Sequence, residues 1–392
     1  MTAMYDTLTL EHLTGVVGKK WTTFPDCIGA FIAEMDFGTA PSVIETLRTT
    51  VDHGFFGYLP DALEQGLATA CADWYRANTD WDVPTERVHS IPDVLKGLEI
   101  TLQLFAPKGG KVIVPTPAYM PFLMAPERQG RELVQVPMQQ QDGRWVYDLD
   151  AVDAAFAEGG EVLILCNPFN PIGRVMTRDE MLAISEIVDR HGGRVFSDEI
   201  HAPIIYEGRA HVPYASISEV AAGHAITAIA ASKAWNLAGL KCAQIVLSND
   251  ADVAIWEEDG GFSGHGASTL GVIASLAAYN TGQDWLDEVI DYLDGNRRLL
   301  AEMTAELMPE VKYGMPEGTY LAWLDFKETA VDCDLATFFR ESAQVALVDG
   351  GACGEVGERC ARFNFAMARP MLAQAIEQMA TALRAIQISE TH

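Results

Sequence analysis

The chain has no CxxC pair, no HExxH motif and no apolar run approaching the roughly 20 residues that span a bilayer. Its seven cysteines are Cys27, Cys71, Cys166, Cys242, Cys333, Cys353 and Cys360. The set is odd and lacks disulfide or zinc spacing. That excludes a disulfide scaffold, favours reduced thiols in the cytoplasm, and leaves no metal to be expected. The start, Met1-Thr-Ala-Met-Tyr-Asp-Thr7, has no basic segment followed by an apolar stretch, so no signal peptide is expected. Basic residues are scarce: 27 Lys and Arg face 55 Asp and Glu, a net charge of -28. Such a surface repels nucleic acid and anionic membranes, and neither is expected as a partner. A local cationic pocket for a small anion is not excluded. Internal repeats and low-complexity segments are also missing.

What is present is a globular composition, 49% hydrophobic and 21% charged, in 392 residues. That argues against disorder, and the length favours two domains over one core. Strand and helix signals alternate through the middle. Lys111–Pro115 reads as a short strand. Thr177-Arg-Asp-Glu180 reads as a capping box, followed by Met181, Ile184, Ile187 and Val188 at helical spacing. Gly192 and Gly193 stop that helix. Ala243–Ser248 is another strand, and 269–279 a small-residue, apolar helix. The alternation indicates a mostly parallel sheet covered on both faces. After about residue 283 a long amphipathic helix (284–307) leads to shorter strands, 319–325 and 360–366, and a last helix from near Pro370.

Three residues stand at the mouths of successive apolar runs. Val162–Cys166 leads into Asn167-Pro-Phe-Asn-Pro-Ile-Gly173, which carries Asn170. Gly193-Arg-Val-Phe-Ser-Asp198 ends in Asp198, and Ala225–Ala231 leads to Ser232 and Lys233. Taken singly, each has an ordinary reading: a turn Asn, an N-cap Asp, a surface Lys. Together they collect at the carboxyl ends of strands, where open α/β sheets bind ligands. A lysine at the mouth of a buried strand is poorly placed for solvation. Low-dielectric surroundings lower its pKa, and a neutral amine forms a Schiff base with an aldehyde.

This constellation resembles the pyridoxal-phosphate (PLP) enzymes of fold type I, the aspartate-aminotransferase-like group, over nearly the whole chain. Ala33-Glu-Met-Asp-Phe37, Phe56-Gly-Tyr58 and Asp198-Glu-Ile-His201 are similar to the MalY/PatB-type carbon–sulfur lyases, or cystathionine beta-lyases of that branch. The resemblance implies a large domain, 46–283, with a mostly parallel seven-stranded sheet sandwiched by helices. A smaller α/β domain would come from residues 1–45 and 284–392. It also implies a homodimer with shared active sites.

The resemblance gives PLP as cofactor and distributes its contacts. Lys233 takes the aldehyde and later serves as base for the α-proton. Asp198 pairs with the pyridine nitrogen and keeps it protonated. Asn170 donates to the phenolic oxygen, and Tyr119 stacks on the ring. His201 is either a partner of Asp198 or the ring, or a satisfied core histidine. For the phosphate, Val94 and Leu95 offer backbone N–H groups, while Ser232 and Lys241 offer side chains. Tyr58 reaches it from the neighbouring subunit. Asp93 departs from the small Gly- or Ser-rich form of the wider group, and would repel a phosphate unless it turns away as a cap. Arg362 matches the carboxylate-binding arginine, Ala33 lies against the substrate, and Asp36, Phe37, Tyr119 and Trp235 are candidate lining residues. Arg369 reads as structural. The expected reaction is β-elimination from L-cystathionine or another cysteine S-conjugate, giving thiol, pyruvate and ammonia. The alternatives are an aminotransferase, which needs the same cofactor kit, and a PLP-binding regulatory protein with little turnover.

Overall fold

The computed structural model describes residues 2–16, 18–106, 108–141 and 143–390. Met1, Thr391 and His392, the extremes of the expected first and last segments, lie outside the described residues.

Seven strands form the main sheet: β1 (Val88–Ile91), β2 (Lys111–Thr116), β3 (Leu133–Pro137), β4 (Gly160–Cys166), β5 (Arg194–Asp198), β6 (Ala225–Ile229) and β7 (Ala243–Leu247). Their spatial order is β1-β7-β6-β5-β4-β2-β3. The pairs from β6 to β3 are all parallel, and β7 is antiparallel to both β6 and β1. The reversal from β2 to β4 places a topological switch between the fifth and sixth strands of the sheet, with both neighbours delivering loops at the same edge. All five residues of β6 and of β7 are buried, as a sheet covered on both faces requires.

The local signals act as expected where they are strong. The helix α4 (Arg178–His191) starts at a complete capping box of Thr177 and Glu180, and ends at Gly192 with φ 59°. Its apolar face packs Met181, Ile184, Ile187 and Val188 into the core. After α1 (Pro41–Asp52) and α2 (Asp61–Thr79), helix α3 (Val94–Ile100) begins after Asp93, whose side chain accepts from Lys96 N. Gly97 lets this helix lie close to the sheet. A Cβ there would stand 3.0 Å from Ile91 Cδ1 and 3.5 Å from Ala228 Cβ.

Helix α5 (Thr269–Thr281) is followed by the long α6 (Gln283–Leu307). Beyond them β8 (Lys312–Tyr313), β9 (Leu321–Asp325), β10 (Val348–Asp349) and β11 (Cys360–Asn364) form a second sheet in the order β8-β9-β11-β10. Strand β9 was expected from residue 319 but begins at Leu321. Thr319 has φ 65°, a left-handed conformation that a strand does not accommodate. Helix α7 (Arg369–Glu390) closes the chain against α6. The early segment joins this part of the molecule: Ile28–Gly29 pairs in parallel with Val345–Ala346. Among the described residues no helix is long and apolar enough to cross a membrane.

Candidate active site

The site is a cavity of about 390 Å³ at the carboxyl ends of β4, β5 and β6. The parallel register aligns Cys166 with Asp198 and Asp198 with Ala228. Asn170 lies four residues past the end of β4, and Lys233 four past the end of β6. Alternation along β5 sends Asp198 and Glu199 to opposite sides. Glu199 is fully occupied by Ser197 Oγ, Tyr214 N and His211 Nε2. Asp198 lines the cavity, accepting from Ile200 N at 3.0 Å and Cys166 Sγ at 3.6 Å.

Burial sets the electrostatics. It pushes the Asp198 carboxyl up to about 6 despite its hydrogen bonds, because its surroundings disfavour charge. The same burial, reinforced by the Arg362 guanidinium, brings the Lys233 ammonium down to about 8. Lys233 Nζ donates to Ala33 O at 2.9 Å, a carbonyl that also accepts from Tyr320 Oη at 2.9 Å. His201 is buried and held well below the usual imidazole range, first by burial and then by Lys233 and Arg362. Neither of its ring nitrogens has a partner among the described residues. Its ring meets Tyr320 edge-on at 5.9 Å.

Arg362 extends from β11 into the same cavity. Its Nη1 donates to Asn170 Oδ1 at 3.0 Å and its Nη2 to Phe31 O at 2.7 Å, while Nε has no partner. With Oδ1 taken by the guanidinium, Asn170 retains Nδ2 as a donor. Tyr119 stands at the mouth of β2, before the helix Met120–Arg128 that carries Phe122 against its ring at 5.4 Å.

The cavity therefore brings together Lys233, Asp198, Asn170, Tyr119, His201, Ser232, Lys241, Val94, Leu95, Arg362 and Ala33. Tyr58 is not among them. It is 95% exposed and borders a different cleft with His89 and Trp256. Three candidate lining residues need correction. Trp235 is fully buried and donates to Gly282 O, because a cluster with Trp74 and Tyr279 claims its ring. Phe37 packs on Tyr5 and Tyr292. Asp36 turns away to pair with Lys20 at 3.0 Å. Asp93 both caps α3 and reaches Lys241, with Oδ2 2.5 Å from Nζ, so this cation is already engaged. Arg369 lies outside the cavity, with its guanidinium over the Tyr292 ring.

Three further residues, outside the cavity lining and unmarked by the sequence reading, hold the segment that borders it. Asn364 Nδ2 holds Ile32 O and Glu34 O, Asn236 Nδ2 holds Met35 O, and Lys20 Nζ holds Glu34 O. With Arg362 and Lys233 they bind the carbonyls of 31–35 as a strap, of which residues 31–33 line the cavity. A period-two count from Arg362 would have found Asn364 on the same strand face. No local signal marks the others.

Comparison with known proteins follows this geometry. A profile of the aminotransferase class I and II family matches residues 26–379. A cystathionine beta-lyase of Corynebacterium glutamicum is 40% identical over 375 residues, covering 95% of this chain and 99% of its own. The cystathionine beta-lyase PatB of Bacillus subtilis is 32% identical over 383 residues, covering 95% and 98%. Among solved structures, cystalysin of Treponema denticola, whose crystals contain a pyridoxal 5'-phosphate cofactor, superposes with a TM-score of 0.90. It is 28% identical and covers 97% of this chain and 99% of its own. The architecture is that of fold type I, and the chain belongs to the class I and II aminotransferase family.

Proposed function

We propose that the chain is a PLP-dependent carbon–sulfur beta-lyase acting on L-cystathionine or related cysteine S-conjugates. The observation that carries this reading is the convergence of Lys233, Asp198, Asn170 and Arg362 on one cavity. The two relatives named cystathionine beta-lyase, alike over nearly their full lengths, favour elimination over transamination.

The residues fit the cofactor. A buried carboxylate with a raised pKa suits a ring nitrogen that carries a proton, and an amine brought down to about 8 suits an aldehyde. Among the residues lining the cavity, His201, Ser232 and the Asn170 amide would supply polar groups around the ring, Tyr119 would supply a stacking face, and Lys241 with the Val94 and Leu95 backbone would hold the phosphate. Bound there, PLP would supply an electron sink for the charge left when the substrate's α-proton departs. Asp198 would hold a proton at the ring nitrogen. Arg362 would grip the substrate carboxylate through its two Nη groups, exchanging Phe31 O for the ligand. Ala33, on the strap, would border the substrate. Lys233 Nζ would take the α-proton. The β-carbon–sulfur bond would then break with its electron pair on sulfur, the thiolate would take up a proton to leave as a thiol, and water would convert the remaining fragment to pyruvate and ammonia.

The assembly proposed is a cytoplasmic homodimer. Phe56 and Tyr58 are 65% and 95% exposed, and a partner subunit would cover them and take Tyr58 to its own phosphate end. The division proposed is a small domain of residues 1–45 and 284–392 around a cofactor domain of 46–283. The strand pairing of Ile28–Gly29 with Val345–Ala346 supports joining the first and last segments.

Incubation with L-cystathionine and no keto acid tests the reaction. Pyruvate and homocysteine are expected in equal amounts. Turnover only after a keto-acid acceptor is added would identify an aminotransferase, and no turnover under either condition would favour a regulatory role.

A further inference from the structure

We propose that Asp93 competes with the cofactor's phosphate for Lys241, and so keeps that end of the cofactor weakly held and exchangeable. The inference rests on the reading of the cavity as a PLP site.

The two side chains come from elements 148 positions apart, and each is fixed by its own backbone. Asp93 caps α3, with Oδ1 accepting from Lys96 N at 2.8 Å. That bond aims Oδ2 at Lys241 Nζ, 2.5 Å away. Lys241 follows the short turn Ala238–Leu240 in a left-handed conformation, φ 53°, and its carbonyl accepts from Ser268 N. Both residues line the cavity that holds Lys233.

Three cations border this cavity: Lys233, Arg362 and Lys241. Lys233 is bound to Ala33 O, and Arg362 to Asn170 and Phe31 O. Lys241, with a side chain 59% exposed, is the cation that faces solvent, and a carboxylate already neutralises it. A phosphate arriving there must share the ammonium with a second anion. Like charges around one cation weaken each other's hold. Asp93 cannot swing aside without giving up its cap on α3.

Asp93→Asn is the decisive variant. Asparagine caps a helix as well as aspartate does, so the fold is retained while the charge is removed. Two quantities are measured: loss of PLP from the holoenzyme on dialysis, followed by visible absorbance, and inorganic phosphate binding to the cofactor-free chain by calorimetry. In Asp93→Asn both ligands are expected to bind more tightly, by up to about fivefold, the upper end for freeing one exposed ion-pair partner. The gain is expected to shrink when Lys241→Gln is also present, because the two effects are coupled. Unchanged or weaker binding in Asp93→Asn would overturn the proposal. So would an equal gain with and without Lys241, which would mean that Asp93 acts on the anion directly. A wild-type chain that takes up no PLP would sink the cofactor reading instead, and phosphate calorimetry would still decide the role of Asp93.

Discussion

Asp198 is a carboxylate in surroundings that disfavour its charge. Burial raises it to about 6 from the ordinary 3.8, so the folded chain holds the proton more tightly than the unfolded chain does. The stability this contributes is complete below about pH 4 and is lost as pH rises through about 6. Above that range the charged group remains as a burden on the cofactor-free fold. Asp198→Asn, which cannot ionise, is therefore expected to be more stable than wild type near neutral pH, by on the order of 3 kcal/mol, and equal to it below about pH 4. The same variant is expected to lose most of its lyase activity. Thermal denaturation of the cofactor-free chains at several pH values checks this. A variant no more stable than wild type near pH 7 would mean that Asp198 is better solvated than its burial implies. At this scale the sequence was informative where a polar residue ends an apolar run, as Asp198, Asn170 and Lys233 do. It was silent on direction. Trp235 and Phe37 stand in the right segments, yet aromatic neighbours far along the chain turn their rings into the core.

The element that couples these residues is the strap at 31–35. Its carbonyls are taken in turn by Arg362, Asn364, Lys233 with Tyr320, Lys20 and Asn236. Lys20 and Asp36 Oδ1 fasten its end with a buried ion pair, Trp21 Nε1 also donates to Oδ1 at 2.9 Å, and Oδ2 has no hydrogen-bond partner among the described residues. Removing one member strands a buried charge, whereas removing both replaces a costly pair with packing. Lys20→Met is expected to lose about 3–5 kcal/mol of stability, and Lys20→Met with Asp36→Leu is expected to recover most of it. Denaturant unfolding of the two variants and wild type provides the comparison. A double variant as unstable as the single one would show that the pair does more than satisfy itself. None of this was legible in the sequence, since the partners lie between 14 and 332 positions apart. Helix α4 was legible because its caps and its apolar face are all local.

For the whole molecule, the proposed homodimer accounts for aromatic groups that the single chain leaves uncovered. Phe262 is 94% exposed and Tyr58 95%, on a chain whose net charge is -28, and Gly261, the neighbour of Phe262 in sequence, borders the same cleft as Tyr58. If each cavity is completed by the partner's Tyr58, Lys233→Ala and Tyr58→Ala damage sites in different ways. Mixed under conditions of subunit exchange, they form hybrids with one site carrying both lesions and one carrying neither. Activity is expected to rise above that of either parent. No rise despite demonstrated exchange, or a fully active monomer in sedimentation, would remove the shared-site proposal.

The central claim is that a PLP aldehyde bonds to Lys233 at the meeting of three strand ends. Borohydride reduction of the purified holoenzyme, followed by peptide mass mapping, tests it most directly. The visible absorbance should bleach irreversibly, and the added cofactor mass should fall on the peptide that contains Lys233. A label on another lysine, such as Lys241, or no label on a protein that turns over L-cystathionine, would contradict it.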